Sequence, residues 1–87
     1  MMNKYYFTFG TNPQFPFGEH EFVMIEAESI REAAEIFRKL WPDRPGHEGV
    51  LNCADCYTEA QFSPIRKKHY NGKEPSAVFL QPGRRNE

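Results

Sequence analysis

The sequence predicts a small α+β domain of order β-β-α-β-α-β, with a sheet of three or four mainly antiparallel strands and both helices on one face. Three observations predict it. Apolar, strand-like runs at Phe22–Ala27 and Val50–Tyr57 are each followed by a capping box, Ser29 to Glu32 and Thr58 to Gln61. In such a box the hydroxyl accepts from an orphan backbone N–H and the acid or amide reaches back. A further run, Lys4–Phe9, is aromatic or β-branched at every position after the lysine. The third observation is length: 87 residues suit one domain, expected over residues 1–80 with a flexible tail at 81–87.

In the first strand Tyr5, Phe7 and Phe9 share one face and Tyr6 and Thr8 the other. Gly10 ends the run, and Asn12, Pro13, Pro16 and Gly18 mark a long connection before Phe22–Ala27 returns as the second strand. The first helix is expected from about Ile30 to Trp41. Ile30, Ala33, Ala34, Phe37, Leu40 and Trp41 form one apolar stripe, and Arg31, Glu32, Glu35, Arg38 and Lys39 the opposite face. Pro42 stops the helix, and 43–49 is a loop by its Pro and Gly content. The third strand, Val50–Tyr57, is interrupted by Asn52 and Asp55. After Thr58 comes a shorter helix whose inner face is Phe62, Ile65 and His69 or Tyr70. Pro64 either kinks it or sits at the first position of a helix restarting at Ser63. Asn71-Gly72 closes it, and Ser76–Leu80 is the last strand.

Aromatic residues make up 15% of the chain, enough for a dense small core that leaves little room for a deep substrate cavity. The formal charge of -1 opposes bulk electrostatic binding to nucleic acid. No run of 18 apolar residues is present, so no membrane span is expected. The opening residues lack a secretory pattern, which points to the cytosol and reduced cysteines. If Tyr6 and Thr8 face solvent, the uncovered aromatic sheet face makes a homodimer an expectation.

Cys53-Ala54-Asp55-Cys56 is the one motif with recognisable chemistry. It reads as structural cysteines, as part of a small zinc module, or as a redox pair. His47 and His69 flank it at a spacing that matches no standard finger. In a strand, residues three apart point to opposite faces, which disfavours a shared metal. His20 lies between two acids, and no Ser–His–Asp arrangement follows from the spacing. No Gly-rich phosphate loop is present. The chain is therefore expected to be no enzyme and to need no cofactor.

The loop 11–18 is the first candidate surface. Pro13 and Pro16 stiffen it, so Phe15 and Phe17 either present preorganised rings to a protein partner, with Tyr6 flanking, or fold back over an open core edge. The second is Arg66, Lys67 and Lys68 with Tyr70, where cations beside an aromatic could hold phosphates and stack a base.

Six segments carry a resemblance: KYYFTFG at 4–10, FPFG at 15–18, EFVMIEA at 21–27, ESIREAAEIFRKLWPDRPG at 28–46, VLNCADCYTEAQF at 50–62 and HYNGKEP at 69–75. The chain resembles, from about Asn3 to Pro75, a group of short proteins found in phages and mobile elements of gut Firmicutes. The place of Asp55-Cys56 is often hydrophobic in that group, and no catalytic or ligand residues carry over from it. The resemblance implies an accessory protein acting in the cytoplasm of a bacterial host. Such a protein would bind and block a host protein, with a CRISPR or other defence nuclease as the leading class of target and anti-CRISPR proteins as the type example.

Overall fold

The computed structural model describes residues 2–81. The expected tail thus lies, beyond residue 81, outside the described residues. The elements are β1 (Asn3–Thr8), β2 (Phe22–Ala27), α1 (Ile30–Leu40), β3 (Asp55–Thr58), α2 (Glu59–Tyr70) and β4 (Ala77–Phe79). The expected order is present. The four strands form one sheet in the order β3-β1-β2-β4. β1 pairs antiparallel with both β2 and β3, and β4 joins β2 in parallel.

The helices do not share a face, contrary to the sequence expectation. Tyr5, Phe7 and Phe9 of the first strand run, with Val23, Ile25 and Ala27, pack against Ala33 and Phe37 of α1. Tyr6, Phe22 and Met24 pack against Phe62 of α2. The cause lies in the central strands: β2 is buried at all six positions and β1 from Tyr5 onward. A strand apolar on both faces needs a cover on each side. The aromatic face that suggested a homodimer is therefore occupied by α2, with Tyr6 only 5% exposed.

Stacked rings fix each layer. Phe7 lies 4.6 Å from Phe37 on the α1 side, and Tyr6 lies 4.9 Å from Phe62 on the α2 side. Face-offset pairs of this kind add about 0.5–1.5 kcal/mol beyond the area they bury.

The helix ends follow from local chemistry. The Ser29 hydroxyl accepts from the Glu32 amide at 3.1 Å, and the Glu32 carboxylate accepts from the Glu28 amide at 2.7 Å, one residue before the cap. At Thr58 the reciprocal box is complete, at 3.2 and 3.0 Å. The α1 stripe is narrower than its periodicity predicts. Ala33 and Phe37 are buried and Trp41 caps the helix, but Ile30 and Leu40 are exposed. Helix α2 runs unbroken through Pro64, neither restarting at Ser63 nor ending there. Pro64 and Ala60 are both exposed, so water can take up the Ala60 carbonyl that loses its intrahelical donor.

Strand β3 starts at Asp55, five residues later than expected, and Val50 is exposed. The buried Asn52 side chain donates to the Pro42 carbonyl at 2.6 Å, which holds 50–54 as a loop against the end of α1. Among the described residues no helix is long and apolar enough to cross a membrane.

Candidate functional site

The connection between β1 and β2 is an ordered structure with its own hydrogen bonds. Gly10 turns the chain at φ +57°, a left-handed conformation that favours glycine. The Asn12 side chain accepts from the Gln14 amide at 2.9 Å and its carbonyl from the Phe15 amide at 3.1 Å, an Asx-type turn leading into Pro16. At the far end the Glu21 carboxylate accepts from the Gly18 amide at 2.7 Å and from the Ser76 hydroxyl at 3.2 Å. These ends surround an open groove of about 410 Å³.

Both phenylalanines turn inward. Phe17 sits 5.1 Å from Phe9 and edge-on to Trp41 at 5.5 Å, closing the open end of the α1-side core. Phe15 is half-buried beneath the Arg44 guanidinium, 5.2 Å from the ring centroid. Arg44 also donates to the Gln14 side chain. Of the two readings the sequence left open, the rings thus take the one that folds back over the core edge. The loop still shows solvent an outer face, which includes Thr11, Pro13, Gln14, Pro16 and His20.

Tyr6 does not join that face. Strand alternation places it on the α2 side, opposite Phe7, and its ring is stacked on Phe62. A pocket of about 70 Å³, shared with Glu59, Ser63 and Arg66, reaches it. Burial, and next the Glu59 charge, push the Tyr6 phenol above its ordinary range. It is a core residue with a polar tip.

The basic surface is divided in the same way. Arg66 lies over the Phe22 ring at 5.5 Å, donates through Nε to the Lys73 carbonyl at 2.8 Å, and pairs with Glu74 at 3.6 Å. Tyr70 meets Phe22 edge-on at 5.2 Å, and burial raises its phenol. Lys67 and Lys68 remain exposed in the last turn, where they complement the helix dipole. The four residues therefore do not assemble into a base-stacking cradle: the aromatic and the arginine anchor α2 and the segment after it.

Cys53 and Cys56 are free thiols, both half-buried. Cys53 lies in the loop before β3, so strand alternation does not separate the pair. Both pack on the α1-side core, which corrects the expectation of opposite faces. Burial, then Asp55, pushes the Cys53 thiol up to about 11, and burial, then Cys53 itself, pushes Cys56 up to about 12. Thiols held protonated in this way are poor nucleophiles, and a redox pair needs a depressed value. Among the described residues no group of three or more His, Cys, Asp or Glu side chains could hold a metal, so the His47–Cys53–Cys56–His69 spacing does not close into a zinc centre.

Sequence reasoning missed the clamps Arg44, Glu21 and Ser76. Arg44 meets Gln14 across 30 residues and Ser76 meets Glu21 across 55, and no local pattern marks such pairs. No family model, curated protein or solved structure matches the chain.

Proposed function

We propose that the chain is a non-enzymatic binding protein that docks on a host protein through the outer face of the β1–β2 loop. The observation that carries the reading is the order of this loop. The Asn12 turn, the Glu21–Gly18–Ser76 bonds, the Phe17 plug and the Arg44–Phe15 clamp hold it in place. A surface already fixed in shape avoids about 0.5–1.5 kcal/mol of ordering cost per side chain when it binds. In this reading Phe15 and Phe17 act from beneath, by holding Thr11, Pro13, Pro16 and His20 in position. The ionisable groups around the core fit a non-catalytic protein: burial pushes Tyr6, Cys53, Cys56, Tyr57 and Tyr70 toward their neutral forms. The phage-type resemblance supplies the class of target, a bacterial defence protein such as a CRISPR nuclease.

The test is site-specific photo-crosslinking in nuclease-treated lysate of a bacterial host carrying its defence systems. Photoreactive residues placed at Thr11 and at His20 are expected to capture the same protein. One placed at Lys68 on α2 is expected to capture none. Capture from Lys68 alone, or capture lost on nuclease treatment, would reject the loop as the docking face. Arg44→Ala, which frees Phe15, is expected to weaken capture while the fold is kept.

A further inference from the structure

We propose that the free edge of β4 pairs with the same edge of a second copy of the chain, joining two sheets into one. β4 ends the strand order, with β2 on its inner side, and among the described residues no strand lies on its outer side. Such an edge presents unpaired N–H and C=O groups that another strand satisfies. The inner bonds show which groups these are. The Ser76 amide donates to the Phe22 carbonyl at 2.8 Å, so Ser76 turns its backbone toward β2. Backbone direction alternates along a strand, so Val78 and Leu80 do the same, while Ala77, Phe79 and Gln81 turn theirs outward. The side chains alternate too, and the alternation of exposure continues to Gln81. Ala77 and Phe79 pack on the α1-side core. Val78 and Leu80 point to the opposite face and are each 47% exposed. That face is covered by α2 over β1 and β3, toward the other edge of the sheet.

The chemistry of the edge selects a second copy as the occupant. Residues Pro75 to Gln81 include no ionisable side chain. An edge kept from pairing usually carries charge, as β3 does at Asp55. Two β4 edges therefore meet without like-charge repulsion, and a formal charge of -1 on the whole chain opposes association little. An antiparallel two-fold register centred on Phe79 makes the match reciprocal. Phe79 then exchanges both backbone bonds with its counterpart, and Ala77 exchanges both with Gln81. Val78 of each copy falls opposite Leu80 of the other, so the exposed apolar side chains cover one another. Pro75, which has no N–H, bounds the ladder. This surface is distinct from the aromatic face around Tyr6, which α2 covers. It is also independent of the docking face on the β1–β2 loop. A pairing this short belongs to the transient class of interfaces, below about 1,200 Å².

The experiment is sedimentation equilibrium of the reduced, full chain from about 5 to about 500 μM, where a dimer with a dissociation constant of about 10–100 μM is expected. Val78→Lys and Leu80→Lys, both at exposed positions, are each expected to weaken the dimer at least about tenfold. Circular dichroism checks that each variant is folded, and if one unfolds the other decides. In a mixed-isotope sample, a nuclear Overhauser effect is expected between the Val78 methyl groups of one copy and the Leu80 methyl groups of the other. A chain still monomeric at about 500 μM would overturn the proposal and leave the edge to another protein's strand. So would wild-type dimer affinity in a folded variant, or intermolecular contacts confined to residues outside 75–81.

Discussion

Phe62→Ala is the sharpest test of the two-faced architecture. Phe62 is 1% exposed and is the sole fully buried side chain that α2 contributes. Its ring touches Tyr6 and Phe22 at 4.9 Å, Tyr70 at 5.6 Å and Tyr57 at 5.7 Å. Removing a buried Phe ring costs about 3–5 kcal/mol, more where the walls cannot collapse. Here the walls are rigid rings, two of them on central strands already packed on their other side by α1, so about 4 kcal/mol is expected. A domain of 87 residues has roughly 4–13 kcal/mol of stability in all, so the variant will be marginal or unfolded. Urea unfolding followed by Trp41 fluorescence and far-ultraviolet circular dichroism measures it. At about 4–8 °C per kcal/mol, the melting temperature should fall by roughly 16–32 °C. A loss below about 1 kcal/mol would refute the reasoning, because a helix that costs so little to unseat is not the cover of that sheet face.

Other outcomes follow from the same contacts. Pro64→Ala should stabilise the domain by about 2 kcal/mol, since an interior proline costs ~3 kcal/mol and its restriction of the unfolded chain returns only about 0.4–1; an unchanged urea midpoint would contradict this. The Arg38 hydrogen bond, then the Gly49 amide, holds the Asp43 carboxyl below its ordinary value of 3.8. Its ionised form therefore contributes stability above pH 3.8 that is lost as pH falls through the lowered value. The stability gap between wild type and Asp43→Asn should be constant near neutrality and close under acid; a gap that persists there would show that Asp43 is not the titrating group. The thiols, raised from 9.0 to about 11 and about 12, should alkylate at least about 100-fold more slowly in the folded protein than in urea at pH 8. Equal rates would mean that the pair is not shielded.

Much of the fold is legible in the residues. The β1 run and both cap sites mark their elements, because each signal is local and strong. The side on which each helix packs is not legible in the same way. Alternation tells that Tyr6 and Phe7 point apart, but it does not tell which helix each will meet. The apolar character of β2 on both faces was the available clue, since six consecutive buried positions from Phe22 to Ala27 match a strand covered twice. Asn52 interrupts the third run because its amide serves the Pro42 carbonyl, a tertiary bond that no periodicity encodes. Pro64 leaves two readings open for a similar reason: propensity alone does not decide between a helix that passes through it and one that restarts at Ser63, and the packing of Phe62 and Ile65 against the sheet carries α2 through it. In the candidate site, composition singled out the loop and its two rings. Only the contacts with Trp41 and Arg44 reveal that those rings hold the loop from within.

The placement of β1 and β2 at the centre of the sheet has a consequence for synthesis. Both strands leave the ribosome before either cover, and the face formed by Tyr6, Phe22 and Met24 waits for Phe62 and the rest of α2, which ends 43 residues after β2. At ~5–20 residues per second that interval is about 2–9 s. Throughout it the nascent hairpin carries aromatic side chains on both sides, only one of which α1 can shelter. The growing chain is then most vulnerable to association with other nascent chains, and any shielding by chaperones would matter most in that window.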